Sequence, residues 1–171
     1  TCAAADAGCQ EYTGNVANNT RIIFNDTFES ANLPLDNWGG AQSSTTSLNP
    51  GGRSLLVSGD PAFKVVGSNV ERNTSYSISF VAKATGANTT INALNLVNRE
   101  NKSASFAVNS LPIRTEWQLY TFNLSSLDHD VTPYDENSGG RIGERLLVGF
   151  SGPVYIDQIK LTAVPNRYYV I

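Results

Sequence analysis

Near its C-terminal end the chain reads VYIDQIKLTAV. In a strand, successive side chains point to opposite faces. Alternation puts Tyr155, Asp157, Ile159 and Leu161 on one side, and Ile156, Gln158 and Lys160 on the other. The first side is the apolar one, so Asp157 is a carboxylate facing a core. A buried carboxylate must be paired, hydrogen-bonded or bound to a metal. A second acidic cluster on a strand-like run is NDTFES, where Phe28 reads as core and Thr27 and Glu29 flank it. If the first and last strands of the fold are neighbours, Thr27, Glu29 and Asp157 converge. A hard cation with oxygen ligands would explain that convergence, and calcium suits irregular sites that also use carbonyls. Hydrogen bonds from backbone or hydroxyl groups at a strand end would also serve Asp157, and both readings stay open.

Other reactive residue types offer less. The single histidine, His129, lies in LDHDV between two acids. A nucleophilic triad needs an imidazole beside a Ser or Cys, and this one reads as solvated. Cys2 and Cys9 would close a short loop and are expected to form a local disulfide in an oxidising compartment. Two thiols with no nearby His cannot complete a zinc site. The acidic loop LDHDVTPYDE lacks the Gly and Glu placement of a helix-flanked calcium loop and reads as solvated. No pair of acids has an evident reason to face a cleft for glycoside hydrolysis.

The elements that must position these residues are strands. The 171 residues are enough for one domain with a substantial core. Twelve basic residues and a net charge of -3 leave no basic stripe for nucleic acid. No apolar run approaches the roughly 20 residues of a membrane span. Charged residues make up only 16% while Asn, Ser, Thr and Gly abound, a surface typical of secreted β proteins. Six N-x-S/T sequons, at Asn18, Asn25, Asn73, Asn88, Asn101 and Asn123, point the same way, towards a secreted glycoprotein. Residues 1–20 lack sustained periodicity and read as a leader or linker. From 21 to 171, short alternating apolar runs separated by Gly, Pro, Asn and Asp predict an all-β sandwich. Strands are expected near 21–29, 54–59, 62–67, 75–84, 89–98, 103–109, 116–124, 144–150 and 153–163, with a hairpin turn at Arg99–Lys102. Two long loops, one through Trp38 and one through Tyr134, are long enough to rim a site.

The ordered set NDTFES, NW, GGRSLLV, SYSISFVAK, EWQLYTFNL and LLVGFSGPVYIDQIKL resembles carbohydrate-binding module family 4 and the related families 9 and 22. The resemblance covers about residues 21–164. It implies a jelly-roll β-sandwich of two antiparallel sheets, with a polysaccharide groove across one of them. It also implies a structural calcium held by the Thr27–Glu29 segment, the backbone near Arg53, and Asp157. Aromatic rings pack on the C–H face of a sugar, and planar polar side chains bond its rim hydroxyls. The resemblance places the family's polar groove positions at Asn92 and Asn98, and with them Trp38 and Arg145 are the expected sugar contacts, with Ser79, Lys83 and Tyr134 behind them. Asn92 and Asn98 are read as sharing one face of a strand. Three positions depart from the family pattern: Lys102 where a groove tyrosine is common, Gly40 and Ala41 where an aromatic is common, and Arg145–Leu146 where glutamines are common. The expected function is a secreted, monomeric, non-catalytic module that binds a β-1,3- or β-1,4-glucan, or xylan. The alternatives are an adhesive or structural sandwich that binds no sugar, and a jelly-roll polysaccharide lyase or hydrolase.

Overall fold

Ser75–Ala84 alternates half-buried and buried residues without a break over ten positions, burying Tyr76, Ile78, Phe80, Ala82 and Ala84. That period of two is what a strand with one face on a core requires. The structure, a computed structural model, describes residues 10–12, 20–29, 37–133, 143–164 and 168–170. Among them the strands are β1 (Gln10–Tyr12), β2 (Arg21–Asp26), β3 (Trp38–Gly39), β4 (Gln42–Ser44), β5 (Ser54–Val57), β6 (Ala62–Val65) and β7 (Ser75–Ala84). Then come β8 (Ile91–Val97), β9 (Ser103–Ser105), β10 (Gln118–Leu124), β11 (Arg145–Phe150), β12 (Val154–Val164) and β13 (Tyr168–Val170). The described residues hold one short 3-10 turn, Gly67–Asn69, and no α-helix. The segment expected to be a leader contributes β1, which pairs antiparallel with β13.

The other strands form two antiparallel sheets, as the sandwich pattern implied. One runs β10-β7-β12-β5-β4, with β2 also on β12; the other runs β3-β6-β11-β8-β9. Their facing sides enclose a single core. Phe80 sits near its centre, with ring centroids 5.8 Å from Tyr120, 5.8 Å from Phe122 and 6.3 Å from Phe150.

β12 holds the six-stranded sheet together. One edge pairs with β7 along most of its length. On the other edge Val154–Ile156 pairs with β5, and Ile159–Ala163 pairs with β2. The changeover is a β-bulge: Ile156 faces Ala82, Gln158 faces Val81, and Asp157 is the extra residue between them. This corrects the simple alternation expected for VYIDQIKL. Val154 and Ile156 are buried before the bulge, Ile159, Leu161 and Ala163 after it, and Tyr155 is only half-buried. The inserted residue flips the phase, so both halves of the strand keep their apolar side chains inward.

β6 carries a second inversion of simple patterning. Ala62 and Lys64 point inward, and Phe63 and Val65 are half-buried on the outer face. Lys64 is tolerated inside because its Nζ lies 2.9 Å from Asp26 Oδ2 and over the rings of Phe24 and Trp38, at 5.2 and 5.8 Å. Trp38 Nε1 donates to the same Asp26 oxygen at 2.8 Å. Phe80→Ala removes a fully buried ring that touches three others. It should lower the unfolding free energy by about 3–5 kcal/mol, measured by denaturant unfolding, with the far-ultraviolet circular dichroism of the native state unchanged.

Candidate functional site

The outer face of the five-stranded sheet follows from the registers. Gly39, Phe63, Leu147, Asn95 and Ser105 lie in one row across β3, β6, β11, β8 and β9. Val65, Arg145, Val97 and Ser103 form the next row. Four strand spacings make the floor about 19 Å wide. Two glycines shape it. A Cβ on Gly39 would lie 2.3 Å from Phe63 Cζ, so the Phe63 ring tip rests directly on β3. A Cβ on Gly149 would lie 2.7 Å from Asn92 Oδ1, so the Asn92 amide reaches over β11. The Arg145 guanidinium lies 5.9 Å from the Phe63 ring centroid, within cation–π range. Among the described residues the face therefore offers one aromatic ring, one guanidinium and two amides, Asn92 and Asn95, on a floor of Val and Leu.

Several expected contacts lie elsewhere. Trp38 is 6% exposed, packs edge-on to Phe24 and Phe28, and spends its N–H on Asp26; it belongs to the core. Asn98 is 3% exposed. Its Oδ1 accepts from Glu100 N at 2.9 Å and Lys102 N at 3.0 Å, and its Nδ2 donates to the Asp130 carbonyl at 3.1 Å. The Oδ1 bonds build the β8–β9 turn, the Nδ2 bond ties it to the loop at Asp130, and burial keeps the side chain from the outer face. Asn98 and Asn92 do not share a face: Asn98 follows Leu94 and Leu96 inward, while a bulge at the other end of β8 turns Asn92 out. Ser79 and Lys83 point outward from β7, on the sheet opposite Arg145, and cannot join one groove with it. Asn92 and Arg145 lie on the face described above. Tyr134, Cys2 and Cys9 lie outside the described residues.

Sequence reasoning missed Phe63 and Asn95. Asn95 was readable, since Leu94 and Leu96 inward leave Ala93, Asn95 and Val97 outward. Phe63 was hidden because AFKV reads most simply with its lysine in solvent.

Asp157 is 0% exposed. Its Oδ2 accepts the N–H of Leu48 at 2.6 Å, and its Oδ1 has no partner among the described residues. Burial pushes its carboxyl above the ordinary range, the Leu48 bond partly offsets this, and the nearby Glu29 charge adds to the rise. Glu29 and Thr27 are exposed on either side of Phe28, which adopts a positive φ of 58°. Glu29 fills the space that Gly52 leaves, where a Cβ would lie 2.5 Å from its Oε2, and its Oε1 accepts from Asn49 Nδ2 at 3.2 Å. Arg53 follows Gly52, and its side chain turns away to donate to Ser43 Oγ at 3.1 Å. The first and last strands of the sandwich thus do bring Glu29 towards Asp157. No three His, Cys, Asp or Glu side chains gather round one point among the described residues.

His129 is not solvated. It is 4% exposed, with Nε2 2.7 Å from Oε1 of Glu144 and Nδ1 3.3 Å from Oδ1 of Asp128. Glu144 is 0% exposed, and its Oε2 has no partner among the described residues. Burial raises its carboxyl pKa, and His129 partly counteracts that rise.

The fold agrees with comparisons to known proteins. Over most of this chain, its structure is similar to that of a two-module fragment, family 22 modules 1 and 2, of Paenibacillus barcinonensis Xyn10C. The TM-score is 0.63 at 12% identity, covering 85% of this chain and 45% of that one. It is also similar to the N-terminal family 22 module and catalytic module of Clostridium thermocellum xylanase 10B, solved with xylohexaose. There the TM-score is 0.59 at 17% identity, covering 88% of this chain and 30% of that one. The C-terminal family 22 module of the same Clostridium enzyme gives a TM-score of 0.55 at 20% identity, covering 86% and 96%. This chain therefore spans less than half of the first two structures. No curated protein matches. At these identities the likeness carries the fold. The family assignment rests on sequence: the profile described as a carbohydrate binding domain, joining carbohydrate-binding module families 4 and 9, matches residues 20–132, and the chain belongs to that family.

Proposed function

We propose that the outer face of the five-stranded sheet binds a polysaccharide chain, and that the domain brings its parent protein to that polysaccharide without performing chemistry on it. The observation that carries this reading is the juxtaposition of the half-buried Phe63 ring with Arg145, Asn92 and Asn95 on one outer sheet face. A pyranose ring has an apolar face that packs on an aromatic ring. Its hydroxyls suit guanidinium and amide groups that bond in a plane. The ligand class is a β-1,4- or β-1,3-glucan or a xylan; the xylohexaose bound by the similar Clostridium protein favours the β-1,4-linked members. Concentrating an attached partner on such a chain raises its effective concentration there.

A structural calcium belongs to the same reading. Asp157 Oδ1 is buried without a partner among the described residues, and the second carboxylate, Glu29, raises the Asp157 pKa. Two like charges with an orphaned oxygen fit a hard cation. The rest of its shell would come from carbonyls around Thr27 and Arg53 and from water. Bound there, calcium would neutralise both carboxylates and tie the end of β2 to β12. The domain is also read as a secreted glycoprotein. Of its six sequons, five fall in the described residues, and all five asparagines are exposed. None lies in the two residue rows of the groove.

Affinity electrophoresis against laminarin, mixed-linkage glucan, soluble cellulose derivatives, xylan and mannan should show retardation by at least one β-linked chain. No retardation by any of them would sink the binding claim. Phe63→Ala should weaken that binding by about 3- to 10-fold while leaving the melting temperature nearly unchanged. Calcium at about 100 times its Kd should stabilise the protein by about 2.7 kcal/mol, seen as a melting shift that a chelator reverses. Asp157→Asn should abolish that shift, and an equal shift in the variant would count against the site. Expression in a glycosylating host should add mass that an N-glycan amidase removes.

A further inference from the structure

Two of the sequons in the described residues stand apart from the others. Asn73, Asn88 and Asn101 lie at turns and take positive φ values of 58°, 63° and 61°. Asparagine enters the left-handed region more readily than most residues, so the backbone alone accounts for it there. Asn25 lies inside β2 and Asn123 inside β10. Asparagine is disfavoured in strands, and both side chains are exposed. Both point out of the six-stranded sheet. Register puts Asn25 in one row with Lys160, Ser79 and Thr121, and Asn123 in the next with Ser77, Thr162 and Ile22. The two asparagines flank that face from opposite sides, three strand spacings or about 14 Å apart across the strands.

β2 and β10 are also the long edge strands of this sheet, with six and seven residues, whereas the edge strand β4 has three. An open edge is a template for pairing with another chain, and charges, prolines or bulges usually blunt it. β10 reads QLYTFNL, with no charge, no proline and no register shift against β7. Uncharged seven-residue runs of this kind are prone to pair with copies of themselves. Asn123 O accepts the N–H of Ala107 at 3.0 Å, on the side away from β7. In an antiparallel pair such outward residues recur every second position. Leu119 and Thr121 therefore aim their backbone groups off the sheet as well, and no backbone group meets them there among the described residues. β2 has a bulge, but its charges lie only at its ends: Arg21 pairs with Glu71, and Asp26 turns to Lys64. The two most exposed large hydrophobic residues among those described, Leu119 at 62% and Ile22 at 60%, belong to these two strands.

We propose that Asn25 and Asn123 carry N-linked oligosaccharides that guard the β2 and β10 edges against pairing with a second copy of this chain. The proposal rests on the reading of the domain as a secreted glycoprotein. The modification transfers an oligosaccharide from a lipid diphosphate donor. A bond forms between the asparagine Nδ2 and C1 of the first sugar, and the bond from C1 to the diphosphate oxygen breaks. The amide gives up one proton as the lipid diphosphate leaves. A bulky, hydrated chain on either asparagine then stands beside the open edge. Asn25 also lines a shallow depression with Ser79, Gln158, Lys160 and Leu119. Its first sugar thus has polar neighbours and lies over the exposed leucine of the opposite edge strand. Both oligosaccharides stand on the sheet opposite Phe63 and Arg145, so they leave the groove open.

Expression of the full chain in a glycosylating host, followed by glycopeptide mass spectrometry, should find both sites occupied. Size exclusion with light scattering should find that protein monomeric. The double variant Asn25→Gln, Asn123→Gln should lose monomer to dimers and larger species at the same concentration. The pair Thr27→Ala, Ser125→Ala removes both sequons, keeps both asparagines, and should behave alike. Adding Leu119→Lys to either should restore the monomer, because a charge on the edge strand blocks pairing. Leu111→Lys, at an exposed leucine in the loop before β10, should not. Removing the turn sequon at Asn101 by Ser103→Ala should leave the monomer intact. Occupied turn sequons with Asn25 and Asn123 bare would overturn the proposal and leave the glycoprotein reading standing. No occupied sequon at all would overturn both. Double variants as monomeric as the glycosylated wild type, or an equal rescue by Leu111→Lys, would overturn the guarding of the edges.

Discussion

One extra residue in one strand organises this sandwich. β12 is bonded to β7 on one edge and to two strands, β5 then β2, on the other. A strand that changes partner midway must twist, and a bulge supplies that twist. Asp157 is the residue the bulge leaves outside the ladder, and its carboxylate is driven into a buried space where it meets the N–H of Leu48. The buried Asp157 carboxylate and the closure of the sheet are thus two effects of the same irregularity. Remove the bulge, and either Ile156 or Ile159 turns to solvent.

The opposite sheet is organised by a different economy. An interior lysine and aspartate, Lys64 and Asp26, share a tryptophan. Having taken Lys64 inward, β6 must turn Phe63 outward. The groove's aromatic is therefore the consequence of an ion pair on the other side of the same strand. Gly39 and Gly149 matter for what they lack, since a methyl at either place would collide with Phe63 or Asn92 on the outer face.

The sandwich was legible because most strands alternate cleanly; β7 and β10 expose one face and bury the other residue by residue. Legibility failed where a tertiary partner overrides the pattern. Asp157 was recognised as an anomaly, and Glu29 as its neighbour, yet nothing in VYIDQIKL marks which residue is the inserted one. Trp38 attracted a sugar-binding role through its type and its loop, and it is instead a core residue whose N–H is spent on Asp26. Asn98 looked like a groove amide, but an asparagine at a tight turn bonds its own backbone first. His129 lies in a polar stretch, and only the fold brings it to Glu144, 15 residues on.

The double pairing of β12 also bears on how the chain reaches its native state. Ile22, near the start of the sandwich, is registered against Thr162, near its end. Until β12 arrives, β2 has no partner in its sheet, and β7 lacks one of its two neighbours. Contacts of such sequence separation are closed late and slowly. A nascent chain that has not yet emerged past Val154 presents open strand edges, and this is the stage at which association between chains competes with folding. The strand that completes the sheet is thus also the one that ends the chain's exposure to aggregation.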